Sequence, residues 1–227
     1  MNEKDLKRAS ELVRRYGVKS VMYGGPGTGK TPLVDTAPNP LMLVVEPGMM
    51  TMKNSNIPCF EANTSAKINE FFTWFFQSNE SKKFDTLAID SISQLCEVIL
   101  TEELKTAKDP RKAYGNLSRQ VMAIADSLFY LENKHIYLIA KCATFDENGT
   151  STKKPYFPGQ DLNVKIPHLF DEVWYIGKTN IPGIAQPTVA IRTVETYGIL
   201  ARDRSKNLDE LENPWQGLAS LFAKCMR

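Results

Sequence analysis

"GGPGTGKTPLV", residues 24–34, follows directly on the short apolar run "VKSVMY", residues 18–23. From Gly24 to Thr31 the spacing is G-x-x-x-x-G-K-T, the pattern of a phosphate-binding loop between a strand and a helix. Gly24, Gly25, Gly27 and Gly29 permit backbone angles that side chains forbid, and Pro26 and Thr28 complete the loop. A loop of this kind turns its N–H groups toward an anion. A short helix expected over residues 30–36 adds the positive end of its dipole. Lys30 reaches the β- and γ-phosphates of a nucleotide, and Thr31 offers a hydroxyl to Mg²⁺. Pro32 suits a first helical turn, where its missing N–H leaves nothing unpaired.

Working outward, the chain has 227 residues, enough for one domain spanning 1–227 with a sizeable core. A net charge of +2 gives no global basic field, so any nucleic-acid site must be a local patch. Cys59, Cys96, Cys142 and Cys225 lack metal-ligand spacing and read as reduced, buried apolar residues of a cytosol-like compartment. With only His135 and His168 available, a histidine metal site or a Ser–His triad is disfavoured. The amphipathic, charged N-terminus is unlike a signal peptide, and no apolar run is long enough for a membrane span.

Hydrophobic periodicity predicts an entry helix over 3–16, within an entry segment 1–17. Strands are expected at 18–23, 41–46, 57–62, 84–91, 135–141, 168–177, 188–194 and 197–203. Helices are expected at 65–78, 94–107, 117–133 and 215–226, with breaks at 108–116 and a long polar loop over 142–161. The aromatics of "SAKINEFFTWFFQS", residues 65–78, fall at helical spacing and read as core rather than as a base-stacking surface. Alternating apolar strands and helices imply an α/β fold: a mostly parallel central sheet flanked by helices, with antiparallel edge strands.

A phosphate loop needs a carboxylate on a neighbouring strand to hold the metal and its waters. "TLAID", residues 86–90, ends in Asp90 and has that form. Ser91, not a glutamate, comes next, so the base for an attacking water must come from elsewhere. Glu46 closes the buried run "LMLVVE", residues 41–46, and should emerge at the same sheet edge, where nucleotides bind. It is the candidate general base.

Together with the phosphate loop, "LVVE" (43–46), "LAIDS" (87–91) and "IYLIAK" (136–141) resemble the RecA-type ATPase core. "PYFPGQDLNVKIPHLFDEVWYIG" (155–177) and "GILARDRSKNL" (198–208) resemble small phage RecA-like ATPases of the Sak-type single-strand annealing group, phage nucleotide-binding proteins with an AAA domain. The resemblance covers nearly the whole chain. It implies a Mg²⁺-dependent, DNA-stimulated ATPase acting on single-stranded DNA in annealing or strand exchange. It also implies a homo-oligomeric ring or filament, a single-strand binding protein as partner, and a phage protein in the bacterial cytoplasm. Lys141 stands where RecA-type proteins carry a polar amide that feels the γ-phosphate. Arg202 and Arg204 stand where basic residues reach a neighbour's nucleotide. Two segments correspond to the DNA-lining loops. Residues 105–116 carry Lys105, Lys108, Arg111 and Lys112; residues 143–162 carry Lys153, Lys154, Tyr156 and Phe157.

Three other classes share the phosphate loop. An AAA+ helicase loader would carry Asp–Glu in place of Asp90–Ser91 and a helical lid. A small-molecule kinase would need an arginine-rich lid. A nucleotide-switched binding protein with little hydrolysis is opposed by Glu46.

Overall fold

The computed structural model describes residues 6–147, 149–181 and 183–227; residues 3–5 of the expected entry helix lie outside them. The chain runs α1 (Ala9–Tyr16), β1 (Lys19–Tyr23), β2 (Pro40–Val44), β3 (Cys59–Glu61), α2 (Ser65–Gln77), β4 (Thr86–Asp90), α3 (Ile92–Thr106), α4 (Pro110–Phe129) and β5 (His135–Glu147). It continues through β6 (Thr150–Tyr156), α5 (Gln160–Leu169), β7 (Glu172–Thr179), β8 (Thr188–Arg192), β9 (Arg202–Asp203), β10 (Leu211–Glu212) and α6 (Gly217–Cys225).

The strands form one sheet in the order β10-β8-β7-β1-β5-β4-β2-β3, with β6 added to β5 and β9 to β7. From β7 to β3 every pairing is parallel; β8, β10, β6 and β9 join antiparallel. This is the mostly parallel sheet with antiparallel additions expected from the sequence. β5 lies between the strand of the phosphate loop and the strand of Asp90, through the registers Tyr23↔Ala140 and Asp90↔Ile139.

Strand periodicity decides which face each side chain serves. Val21, Tyr23, Leu138 and Ala140 point into one core with the aromatics of α2 and the apolar faces of α3, α4 and α5. Met22, Tyr137, Ile139 and Trp174 point into the other, beneath α6. In α2, Phe71, Phe72 and Phe75 are buried while Phe76 is exposed, so that aromatic run is core. At the amino ends of the strands, Lys19 is fully buried, and its ammonium donates to the carbonyls of Leu131 at 2.9 Å and Lys134 at 2.5 Å.

Several expected elements are corrected. The short helix expected over 30–36 is a 3-10 helix confined to residues 32–36, with Pro32 at its start as anticipated. The break at 108–116 shrinks to Ala107–Asp109. Pro110 opens α4, the Asp109 side chain accepts from the Arg111 N–H at 2.9 Å, and the helix runs on through Gly115. The polar loop over 142–161 is instead a hairpin, β5 running on to Glu147 and β6 returning to Tyr156. α5 replaces the first part of the strand expected from residue 168. Only Arg202–Asp203 of the expected strand 197–203 is a strand. Cys59 is exposed and Cys142 half-buried; Cys96 and Cys225 are buried as expected. Among the described residues no helix is long and apolar enough to cross a membrane.

Candidate nucleotide-binding site

Parallel strands deliver their carboxyl ends to one edge of the sheet, and the loops that follow meet there. Gly24 leaves β1 so close to β7 that a Cβ would sit 2.1 Å from the Ile176 carbonyl oxygen. Gly27 and Gly29 then take φ of +70° and +92°, which keeps the loop curled. Beneath it, the buried Tyr137 hydroxyl donates to the Lys30 carbonyl at 3.1 Å. The Lys30 ammonium lies inside the curl, donating to the carbonyls of Gly24 at 2.8 Å and Gly25 at 2.7 Å. Burial lowers its pKa, opposed by the charges of Asp90 and Glu46.

Thr31 Oγ1 donates to Asp90 Oδ2 at 2.6 Å. Asp90 is buried, which raises its carboxyl above the usual value. The Thr31 hydrogen bond and the Lys30 charge act against that, and the charge of Glu46 adds to it. A hydroxyl and a carboxylate in contact are oxygen donors suited to Mg²⁺, a hard cation that keeps several of its waters. The residues therefore fit the metal that the phosphate loop implies, with Thr31 and Asp90 as its holders.

Glu46 is fixed at both ends. The N–H groups of Val45 and Glu46 donate to the Asp90 carbonyl at 2.7 and 3.1 Å, and Ser91 Oγ donates to Glu46 Oε2 at 2.8 Å. Lys141, just past the parallel-paired stretch of β5 and at the start of its pairing with β6, contacts α3 through Gln94 Oε1 at 2.8 Å and Glu97 Oε2 at 2.9 Å. Gly24, Gly25, Pro26, Gly27, Lys30, Thr31, Glu46, Asp90, Ser91 and Lys141 all line a single cleft of about 410 Å³. Lys30, Thr31, Asp90, Glu46 and Lys141 thus come together at one cleft.

The AAA domain family profile matches residues 16–205, most of the chain and all of this cleft. The chain belongs to the AAA domain family. It is an AAA-type nucleotide-binding ATPase whose phosphate loop sits on a mostly parallel α/β sheet. Among solved structures it is similar to a KaiC-like protein from the hyperthermophilic archaeon Pyrococcus horikoshii. That match has 14% identity and a TM-score of 0.46, and it covers 81% of this chain and 82% of the other. No curated protein matches the sequence.

Other expected site residues of this AAA domain lie elsewhere. Arg202 and Arg204 sit by β9, which pairs with the amino end of β7, at the opposite edge of the sheet from the phosphate loop. Arg202 donates to the carbonyls of Pro167 and Phe170, closing the carboxyl end of α5. Arg204 pairs with Asp171 at 3.0 Å and donates to the His168 carbonyl at 2.7 Å. Neither reaches the cleft of its own chain.

Of the expected DNA-contacting residues, Lys105, Lys108, Arg111, Lys112 and Lys153 are exposed. Lys154 and Tyr156 are half-buried, with the Lys154 ammonium 5.9 Å from the Phe145 ring centroid. Phe157 is fully buried and cannot stack a base. The Asn163 side chain holds its N–H and its carbonyl, each at 2.9 Å, and its ring joins the core. The two segments nevertheless come together. Tyr156 pairs with Lys141 at the cleft edge. Three residues on, Gly159 lies against the Tyr114 ring of α4, where a Cβ would meet Tyr114 Cδ1 at 3.2 Å. Tyr114, which is 44% exposed, is not legible in the sequence because "KAYGN" looks like a break rather than the first turns of a helix. Nor are Gln94 and Glu97, whose position beside Lys141 depends on how α3 packs on β5.

Proposed function

We propose that this AAA domain binds Mg²⁺-ATP and hydrolyses it as a RecA-like phage recombination protein of the Sak type. In this reading it holds single-stranded DNA and promotes annealing or strand exchange. The hydrolytic half rests on one observation, the convergence of Lys30, Thr31, Asp90 and Glu46 on one cleft. Lys30 and the loop N–H groups hold the β- and γ-phosphates and meet the charge that develops on the γ-phosphoryl oxygens. Thr31 and Asp90 hold Mg²⁺, which when bound neutralises phosphate charge. Glu46 takes the proton of the attacking water as its oxygen bonds to the γ-phosphorus and the bond to the leaving ADP oxygen breaks. Lys141 contacts the γ-phosphate from β5 and relays its presence to α3 through Gln94 and Glu97.

What supports the DNA half is the contact of Tyr114 in α4 with Gly159, three residues beyond the end of β6, whose Tyr156 pairs with Lys141 of the cleft. Arg111 and Lys112 of α4 and Lys153 of β6 are exposed cations of these two segments, and Tyr114 and Tyr156 offer ring faces, the combination that suits a single strand. The protein works as a ring or filament in the bacterial cytoplasm, with a single-strand binding protein as partner. Of Arg202 and Arg204, Arg204 is the more exposed and is the arginine offered to a neighbouring protomer, leaving Asp171 and the His168 carbonyl to do so. ATP turnover with and without single-stranded DNA, across a salt series, tests the reading. Turnover should rise with DNA, and the rise should shrink as salt increases. An identical rate with and without DNA at every salt concentration would remove the DNA half and leave the ATPase.

A further inference from the structure

Ser91 is 1% exposed and lies between the metal-holding strand and α3. Its hydroxyl has two partners of opposite kind. The oxygen accepts from the Gln94 N–H at 3.1 Å, capping α3, and the proton goes to Glu46 Oε2 at 2.8 Å. Because the first contact fills an acceptor role, the hydroxyl proton is directed at the carboxylate rather than free to rotate. Glu46 is already anchored through its backbone by the Asp90 carbonyl. The bond from Ser91 restrains the carboxylate end of the side chain as well. It engages Oε2 and leaves Oε1 as the oxygen available to a water.

We infer that Ser91 is a positioning residue for hydrolysis: its α3-capping hydroxyl holds Glu46 in the orientation that accepts the water's proton. This rests on the reading of Glu46 as general base. It accounts for the Asp–Ser pair at the end of β4. With the base supplied by β2, the residue after Asp90 is used to aim that base and, in the same contact, to start α3.

The test separates aiming from capping. Ser91→Ala removes both roles. Ser91→Asn keeps an acceptor for the Gln94 N–H and a donor for Glu46. Ser91→Asp keeps the cap but has no proton to give. For Ser91→Ala, kcat should fall about tenfold with KM unchanged, the size of a lost hydrogen bond to a charged group. Ser91→Asn should recover most of that loss, and Ser91→Asp should not; thermal melts are recorded for both, since each enlarges a buried side chain and Asp adds a charge beside Glu46. If Ser91→Ala is too unstable to assay, the near-isosteric Asn and Asp variants decide alone. Equal kcat in those two, or wild-type kcat in Ser91→Ala, would overturn the inference. Glu46→Gln is measured alongside. If it hydrolyses ATP at the wild-type rate, the assignment of the base has failed; if it is slow while the Ser91 variants are not, only the role of Ser91 has failed.

Discussion

A single methyl group added at Gly24 would press on the backbone of β7, because the Ile176 carbonyl oxygen lies 2.1 Å from where that carbon would sit. That oxygen belongs to the backbone of a paired strand, so it cannot swing aside as a side chain would. Gly24→Ala should therefore lower both thermal stability and ATP affinity, measured by thermal melting and by titration with nucleotide. Lys30→Ala should divide those two readouts. The curl depends on Gly27 and Gly29 rather than on the lysine, so circular dichroism should match wild type while turnover is lost. Single residues were legible in the sequence where their chemistry is tied to fixed local spacing, as from Gly24 to Thr31. Glu46 was legible because it closes a buried strand. The aim of its carboxylate was not, because Ser91 is 45 residues away in the chain and meets it only across the β2–β4 pairing.

At the scale of elements, long apolar strands and strongly periodic helices such as α2 match their sequence patterns, since the sheet and its cores impose those patterns directly. The errors share a cause: local signals that the tertiary structure reuses. Asp109-Pro110 reads as a break but is an N-cap followed by a first-turn proline. Asp109→Ala should cost about 1 kcal/mol in a denaturant titration. The β5–β6 hairpin has polar residues on exposed positions and so resembles a loop; its pairing, not its composition, makes it a strand pair. α5 contains Pro167 and starts at a glycine, both of which argue against a helix in a sequence. For the proposed DNA interface, Arg111→Ala with Lys112→Ala should flatten the salt dependence of single-strand binding by roughly 0.7 per lost phosphate contact on a log–log plot. Tyr114→Ala should weaken binding by about 1–3 kcal/mol with that slope unchanged. An unaltered slope in the folded double variant would place the phosphate contacts elsewhere.

The whole molecule is a sheet with a working edge and a structural edge. At the structural edge, His135 stacks on Phe222 at 4.5 Å, and its Nδ1 accepts from the Val18 N–H at 3.1 Å, which requires an unprotonated nitrogen. Burial, with the nearby charge of Lys19, pulls its pKa down to about 4. The stability that this neutral imidazole supports is complete above the usual histidine value of about 6.5. It is lost as pH falls toward 4, because the unfolded chain takes up the proton first. The loss approaches roughly 1.4 kcal/mol per unit of the difference. Following the His135 ring signals by NMR through an acid titration checks this; a midpoint near 6.5 would contradict it. At the working edge, everything depends on the cleft being a hydrolytic ATP site whose base is Glu46. The most direct measurement compares ATP affinity and turnover of wild type and Glu46→Gln in one preparation with Mg²⁺. Affinity should be retained, since Lys30, Thr31 and Asp90 are untouched, while turnover falls by about 10²–10⁴. Wild-type turnover in Glu46→Gln would contradict this assignment of the site.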